Sequence, residues 1–131
     1  MEAKIYGPTI LRAALGGMFI LTGLSKLLSP QPVINFLDAE GLPAPVLLGW
    51  LLAWGELFFG LAVFLGFKLK YTVWPVIAIL VGAILTVHIP SIRQKVPLSI
   101  IILLLHLVAI AGLLSLFLTG PGAWALDKEK Y

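Results

Sequence analysis

The stretch GWLLAWGELFFGLAVFLGF, residues 49–67, decides the fold of this chain. At about 1.5 Å of rise per residue, a helix of this length crosses nearly all of the roughly 30 Å hydrocarbon core of a bilayer. The only carboxylate in the stretch is Glu56, which lies near its middle. An acid at that depth is costly unless it is paired or protonated, so Glu56 is a functional-site candidate by default.

Three further apolar runs accompany this one, and the four predicted spans are residues 7–28, 46–67, 72–89 and 97–118. Of the 131 residues, 60% are hydrophobic and 11% are charged, and most charges lie between the runs. A soluble domain of this size needs a far more polar surface. We therefore predict an all-α integral membrane four-helix bundle, a single domain over residues 1–131 embedded in the lipid bilayer. The first run carries Arg12 and lacks a small-x-small cleavage site, so we expect it to be a retained span and not a signal peptide.

The longest connection, SPQPVINFLDAEGLPAP at residues 29–45, joins the first two spans. Pro32 suits a first helical turn, and Gly41 suits a helix end. Between them, Val33, Phe36 and Leu37 share one face of a helix. We predict a short amphipathic helix that lies at the membrane surface and covers the bundle. An ordinary interfacial connector is the alternative.

Four spans place both termini on one side of the membrane. Five lysines flank the spans on that side, against three basic residues on the other. The five are Lys4, Lys68, Lys70, Lys128 and Lys130, and the three are Lys26, Arg93 and Lys95. Because positive charge is enriched in cytoplasmic loops, the difference predicts a multi-pass protein of the cell membrane with both termini in the cytoplasm.

The composition also excludes several kinds of chemistry. Cysteine is absent, which rules out thiolate catalysis and cysteine-ligated clusters within this chain. No phosphate loop, dinucleotide fingerprint or haem attachment motif is present, so we expect no covalent cofactor. The net charge of +3 is spread over the loops and gives no argument for nucleic acid. Any redox role must therefore use a quinone, another bound cofactor or a partner subunit.

Two stripes of small and polar residues indicate where the helices meet. In the first span, Arg12 and Lys26 lie on one helix face with Gly16 and Gly23 between them, at spacings of four and three residues. Small residues allow close helix approach, so we expect this stripe to face the bundle. The alternative is that both cations extend to opposite membrane surfaces. In the second span, Glu56 lies on a similar stripe of small residues, residues 49–60.

Two histidines supply the remaining polar groups at membrane depth. Counted from the ends of the predicted spans, His106 is level with Glu56, and His88 is level with Lys26. We predict an interior network of these four side chains with Arg12 above it, whereas a simple structural hydrogen bond is the alternative for each histidine. A metal site is less favoured, because no ligand pair at i, i+3 or i, i+4 prearranges one.

Three segments resemble the DoxX family of small membrane proteins. They are LRAALGGMFILTGLSKLLSP at residues 11–30, GELFFGLAVFLGF at 55–67 and ILTVHIP at 84–90, and the resemblance extends over residues 11–118. It implies a four-helix bundle in a superfamily that includes the small membrane subunit of thiosulfate:quinone oxidoreductase. Arg12, Lys26, Glu56 and His88 match characteristic family positions, whereas His106 matches none.

The chain departs from the family pattern after the second span. Many relatives have an arginine there, and this chain has Lys68 and Lys70. Lysine keeps the charge but loses the two-pronged recognition of anions that arginine provides. An anion site at this position is therefore not expected to carry over.

Two classes of function fit these observations. The first is a membrane subunit of a quinone-linked redox system, which binds a quinone or similar lipid-soluble ligand and works with a redox partner subunit. Glu56 and His88 would be its catalytic residues, and Arg12, Lys26, Glu56, His88 and His106 would bind the ligand, with no metal. The second is a non-enzymatic assembly or partner subunit, or a small carrier, in which the buried charges are structural. The sequence leaves the charge state of Glu56, the substrate and a homo-oligomeric state open.

Overall fold

The computed structural model of the chain describes residues 3–126, and all regular secondary structure in that range is helical. The helices are α1 (Ala3–Leu28), α2 (Gln31–Ala39), α3 (Pro45–Leu65), α4 (Leu69–Ala83), α5 (Ile89–Arg93) and α6 (Ser99–Thr119), and a π-helical turn (Ile84–His88) joins α4 to α5. Four helical stretches in this range, residues 4–28, 45–65, 69–93 and 99–119, are long and apolar enough to cross a membrane. The predicted all-α membrane bundle is confirmed.

The four spans form a ring in which α1 packs on α3, α3 on α4, α4 on α6, and α6 on α1. The most extensive of these interfaces is α1 with α3, because glycines let the two backbones touch. A Cβ atom built on Gly16 would lie 2.5 Å from the backbone nitrogen of Phe64, and one on Gly60 would lie 2.7 Å from Cβ of Phe19. The prediction that the glycine stripe of the first span faces the bundle is confirmed.

The apolar core lies between α4, α6, the middle of α1 and the last turns of α3. Val73 and Val76 of α4 and Leu113 and Leu116 of α6 are fully buried, together with Val63 of α3. In a bilayer such packing is stabilised by van der Waals contact more than by exclusion of water. This core occupies the half of the bundle that lies towards the chain termini, and it leaves room in the other half.

The connection between the first two spans contains the predicted amphipathic helix, α2. Ile34 and Leu37 are buried, whereas Gln31, Asn35 and Asp38 are exposed. Gly49 of α3 accommodates the apolar face of α2, since a Cβ built there would lie 2.7 Å from Cγ1 of Ile34. The helix therefore packs on the first two turns of α3, and its place at the membrane surface stays a prediction.

The third span is longer than predicted and contains an unpredicted π-helical turn. It runs from Leu69 to Arg93 instead of residues 72–89. The span continues past residue 89 because Pro90 occupies the first turn of α5, where its missing N–H is tolerated. A π-helical turn holds one more residue than an α-helical turn. His88 therefore takes the inward position, below Val76 and Leu80, that an unbroken α-helix would give to Val87.

The orientation of the termini across the membrane was predicted from the lysines that flank the spans. Two of the lysines on which that prediction depends, Lys128 and Lys130, lie outside the described residues. The cytoplasmic location of the termini therefore stays a prediction.

Candidate ligand site

A cavity of about 770 Å³ occupies the half of the bundle that the core leaves open. Its wall comes from α1, α3, α4, the π-helical turn and α6, and α2 covers it with Val33, Phe36 and Leu37. Most of the lining is aliphatic. The polar lining side chains within residues 3–126 are Thr22, Lys26, Glu56, Thr86 and His106. A large apolar cavity with few polar groups is the usual character of a site for a lipid-soluble small molecule.

Glu56 pairs with Lys26 across the α1–α3 interface. Nζ of Lys26 lies 2.8 Å from Oε2 of Glu56, and the side chains are 29% and 9% exposed respectively. The pairing offsets the free-energy cost of an acid at membrane depth, since the cation neutralises the carboxylate through a charge-assisted hydrogen bond. The side chain of Lys26 stays partly exposed, because its long aliphatic chain extends from near the end of α1 to reach Glu56.

The Lys26–Glu56 pair joins two residues that the sequence placed at different depths. Depth was counted from the ends of the helices, but α3 begins beyond the end of α1, where α2 packs on Gly49. Gly23 of α1 meets the backbone of Leu57, so Lys26, one turn further along α1, reaches Glu56. The predicted levels, Glu56 with His106 and Lys26 with His88, therefore do not give the contacts that form, which are Glu56 with Lys26 and His88 with His106.

The two histidines pair with each other. Nε2 of His88 lies 3.2 Å from Nε2 of His106, and the ring centroids are 4.2 Å apart. Nδ1 of His106 lies 2.9 Å from the carbonyl oxygen of Ile102, one turn earlier in α6. His106 lines the cavity, whereas His88 is buried behind it and is only 7% exposed.

Arg12 lies at the other end of the bundle and away from the cavity. Its guanidinium donates to three backbone carbonyl oxygens: from Nε to Pro121 at 2.8 Å, from one terminal nitrogen to Ala123 at 2.7 Å, and from the other to Phe64. The side chain is 4% exposed. Arg12 therefore ties the segment after α6 to the end of α3, and we leave it out of the proposed ligand site.

The segment after α6 fits closely beneath this arginine. Thr9 donates a hydrogen bond to the carbonyl of Ala123 at 2.9 Å, and the amide of Ala123 donates to Ile5 at 3.0 Å. Gly122 has φ of 75°, and a Cβ there would lie 2.5 Å from the carbonyl oxygen of Ile5. The chain end that the structure describes is thus fastened to α1 by several polar contacts.

The cavity offers a ligand one strong hydrogen-bond donor. Thr22 and Thr86 donate their hydroxyl protons to carbonyls of their own helices, at 3.1 and 2.8 Å, and the Nδ1 proton of His106 goes to Ile102. Lys26 has three N–H groups and gives one to Glu56, so two can reach a ligand. The site therefore suits a molecule with a carbonyl or an anionic oxygen at one end and an apolar body.

Within residues 3–126, no three His, Asp or Glu side chains cluster in a way that could hold a metal ion. The two histidines form a pair, and Glu56 points to Lys26. Sequence reasoning found three of the five polar side chains that line the cavity, Lys26, Glu56 and His106. It missed Thr22, Thr86 and also Gly82 of α4, which lines the cavity with nothing within 4 Å of a built Cβ. The only sequence signal for Gly82 as a lining residue was that it is an isolated glycine in an apolar span.

The four spans, the covering helix and the cavity define a small multi-pass membrane protein of the helical-bundle class. The model of the family described as DoxX matches residues 7–89, and the chain belongs to that family. Neither the curated proteins nor the solved structures include a significant match to it.

Proposed function

We propose that this protein binds a quinone, or a similar lipid-soluble ligand with a terminal oxygen, in the cavity between its spans, as the membrane subunit of a redox system. The observation that carries the proposal is the cavity itself, an apolar space of about 770 Å³ with the Lys26–Glu56 pair on its wall. A quinone has an apolar ring and tail with carbonyl oxygens that accept hydrogen bonds. The free N–H groups of Lys26 supply such bonds, and the aliphatic wall accommodates the ring.

Lys26 also suits the charge changes that a quinone undergoes. Reduction of a quinone to a quinol takes up two electrons and two protons, and negative charge develops on the carbonyl oxygens. A cation beside the oxygen stabilises that charge in a space whose wall is mostly aliphatic. The chain has no cysteine, so in this proposal the electrons come from a partner subunit.

Both termini would lie on the cytoplasmic side of the cell membrane, which labelling of a single cysteine placed at Lys4 tests.

Organic extraction and mass spectrometry of the gently purified protein test the proposal directly. We expect about one quinone per chain from the wild type, and a loss of at least about tenfold from Gly82→Leu, whose side chain enters the cavity. Gly17→Leu is the matched control, because Gly17 has equally open surroundings but does not line the cavity. Extracts that contain only bulk lipid, or that do not differ between the two variants, would overturn the proposal.

A second candidate function is structural, and the Lys26–Glu56 pair is the observation that favours it. The pair links the two most extensively packed helices. If the protein is an assembly or partner subunit, this ion pair stabilises the bundle and does not bind a ligand. The stability of a charge-neutral variant separates the two candidates.

Glu56→Gln should change the unfolding free energy in detergent by less than about 1 kcal/mol, while it weakens quinone binding. Lys26 is partly exposed and can extend towards water when its partner is removed, so no buried charge is left trapped. The structural candidate requires the opposite result. The unfolding free energy should fall by roughly 3 kcal/mol or more, as when a buried ion pair is broken, and quinone binding should be absent from both the wild type and the variant. Thermal melting in detergent and titration with a short-chain benzoquinone give the two readouts.

A further inference from the structure

We propose that Glu56 is the specificity-determining residue of the cavity, and that it makes the site select a neutral carbonyl compound over an ionised oxyanion such as the carboxylate of a fatty acid. The donor on Lys26 alone would accept either head group. A fatty acid also has an apolar body, so the aliphatic wall cannot tell the two apart. The inference rests on the proposed function only in that a lipid-soluble ligand occupies the cavity, and it does not require that ligand to be a quinone.

The Lys26–Glu56 pair presents hydrogen-bond donors to the cavity without an excess of positive charge. Nζ of Lys26 lies 2.8 Å from Oε2 of Glu56, so the charge of the ammonium group is already balanced inside the protein. The side chain of Glu56 is only 9% exposed, and its negative charge is therefore weakly screened by salt and water. Such a pair suits a carbonyl oxygen, which accepts a hydrogen bond and carries only a partial charge.

A ligand oxygen bound to Lys26 must lie close to the carboxylate of Glu56. The three N–H groups of an ammonium point to corners of a tetrahedron, so a second acceptor at hydrogen-bond distance lies roughly 4 to 5 Å from Oε2. Two full negative charges at that separation repel strongly in a weakly polar space. A neutral carbonyl accepts the same hydrogen bond without this repulsion. A quinone enters as a neutral carbonyl compound and leaves as a neutral quinol, so the selection does not exclude it.

The other basic side chains near the bundle interior do not offset a second negative charge in the cavity. Within residues 3–126, Lys26 is the lysine or arginine that lines it. Both ring nitrogens of His106 lie within hydrogen-bond distance of protein atoms, the carbonyl oxygen of Ile102 and Nε2 of His88. Arg12 donates to three backbone carbonyls at the other end of the bundle. An anionic head group would therefore have to share the lysine with its carboxylate partner.

Native mass spectrometry of the detergent-solubilised protein measures this selection with a matched pair of probes, dodecanoate and methyl dodecanoate. The two share an apolar chain and a carbonyl group, and at pH 8 the acid is ionised, because this pH lies far above the ordinary pKa of a carboxylic acid. From an equimolar mixture, we expect the wild type to bind the ester at least about tenfold more than the acid. Equal binding, an excess of bound acid, or no bound probe of either kind would overturn the inference.

Two variants of equal charge show whether Glu56 is the cause of the selection. Glu56→Gln nearly keeps the size of the side chain and leaves Lys26 able to pair with an anionic head group, so the ratio of bound acid to bound ester should rise at least about tenfold. Asp38→Asn removes an exposed carboxylate of α2 that does not line the cavity, and it should keep the wild-type ratio. An equal rise in both variants would mean that overall charge, and not Glu56, sets the ratio.

Two further variants locate the bound probe. Gly82→Leu places a side chain in the cavity and should reduce the binding of both probes. Lys26→Gln combined with Glu56→Gln should lose the gain in bound acid, because the anion then has no cation to pair with. Binding that persists unchanged in either variant would count against the inference.

The outcome is separable from that of the proposed function. Extracts without quinone, together with the expected preference for the ester, would overturn the proposed function alone. A quinone in the extracts, together with equal binding of acid and ester, would overturn this inference alone.

Discussion

Gly16→Ala is expected to lower the unfolding free energy of the bundle in detergent by about 2 to 3 kcal/mol. The added Cβ would lie 2.5 Å from the backbone nitrogen and 2.6 Å from Cα of Phe64. Those atoms belong to the main chain of α3 and cannot turn away as a flexible side chain would. The two helices must separate along their length, and van der Waals contact is the principal attraction between helices in a bilayer.

The adjacent glycine is a control that differs only in what it faces. A Cβ on Gly17 meets nothing within 4 Å, so Gly17→Ala should leave stability unchanged or raise it by up to about 1 kcal/mol through better helix propensity. Reversible unfolding in mixed detergent micelles, followed by circular dichroism, measures both variants. Equal stabilities for the two would show that α1 and α3 are not as close as the structure places them.

Arg12→Met is expected to release the segment after α6 and to destabilise the protein by about 3 kcal/mol. Three backbone carbonyls lose a charged donor, and such groups are expensive to leave unpaired where water is scarce. Arg12→Lys should recover only part of the loss, because an ammonium group cannot serve three acceptors with the planar geometry of a guanidinium.

Hydrogen exchange locates this effect. The amides of Ala123 and Leu126 donate to Ile5 and Leu65, at 3.0 and 2.9 Å, and both should exchange about tenfold faster or more in Arg12→Met. Arg93→Met removes an exposed arginine from α5 and should leave these amides as protected as in the wild type. Undisturbed protection in Arg12→Met would mean that the arginine does not hold the segment.

The fold was predictable because its signals are long and repeated. Each apolar run exceeds what a soluble core requires, and the glycines of α1 recur at spacings that only a packed face explains. Gly16 and Gly23 could therefore be assigned to the bundle interior. The partner helix that they meet was not specified, because the spacing along one helix carries no information about which neighbour approaches it.

The site was predictable only as a set of residue types. Glu56, Lys26 and His106 do lie around one cavity, but their depth along the sequence did not indicate which of them are in contact. Helix ends in this bundle are staggered, and a lysine side chain spans about a full helical turn, so residues at different nominal depths can meet. Arg12 looked like a ligand group because its acceptors are backbone carbonyls, which no sequence pattern reveals.

The π-helical turn has a consequence for how this family is compared at the level of sequence. An apolar pattern that continues unbroken from Leu80 assigns Val87 to the interior and turns His88 to the side of the helix. One extra residue in the turn shifts the helical periodicity, so the inward-facing positions after the turn are displaced by one residue from those that the pattern before the turn predicts. A homologue that lacks one residue between 84 and 88 would bring its histidine to the same inward position on an unbroken α-helix, seven residues after Leu80. The length of this short segment and the type of helical turn that it forms therefore decide together whether the histidine faces α6.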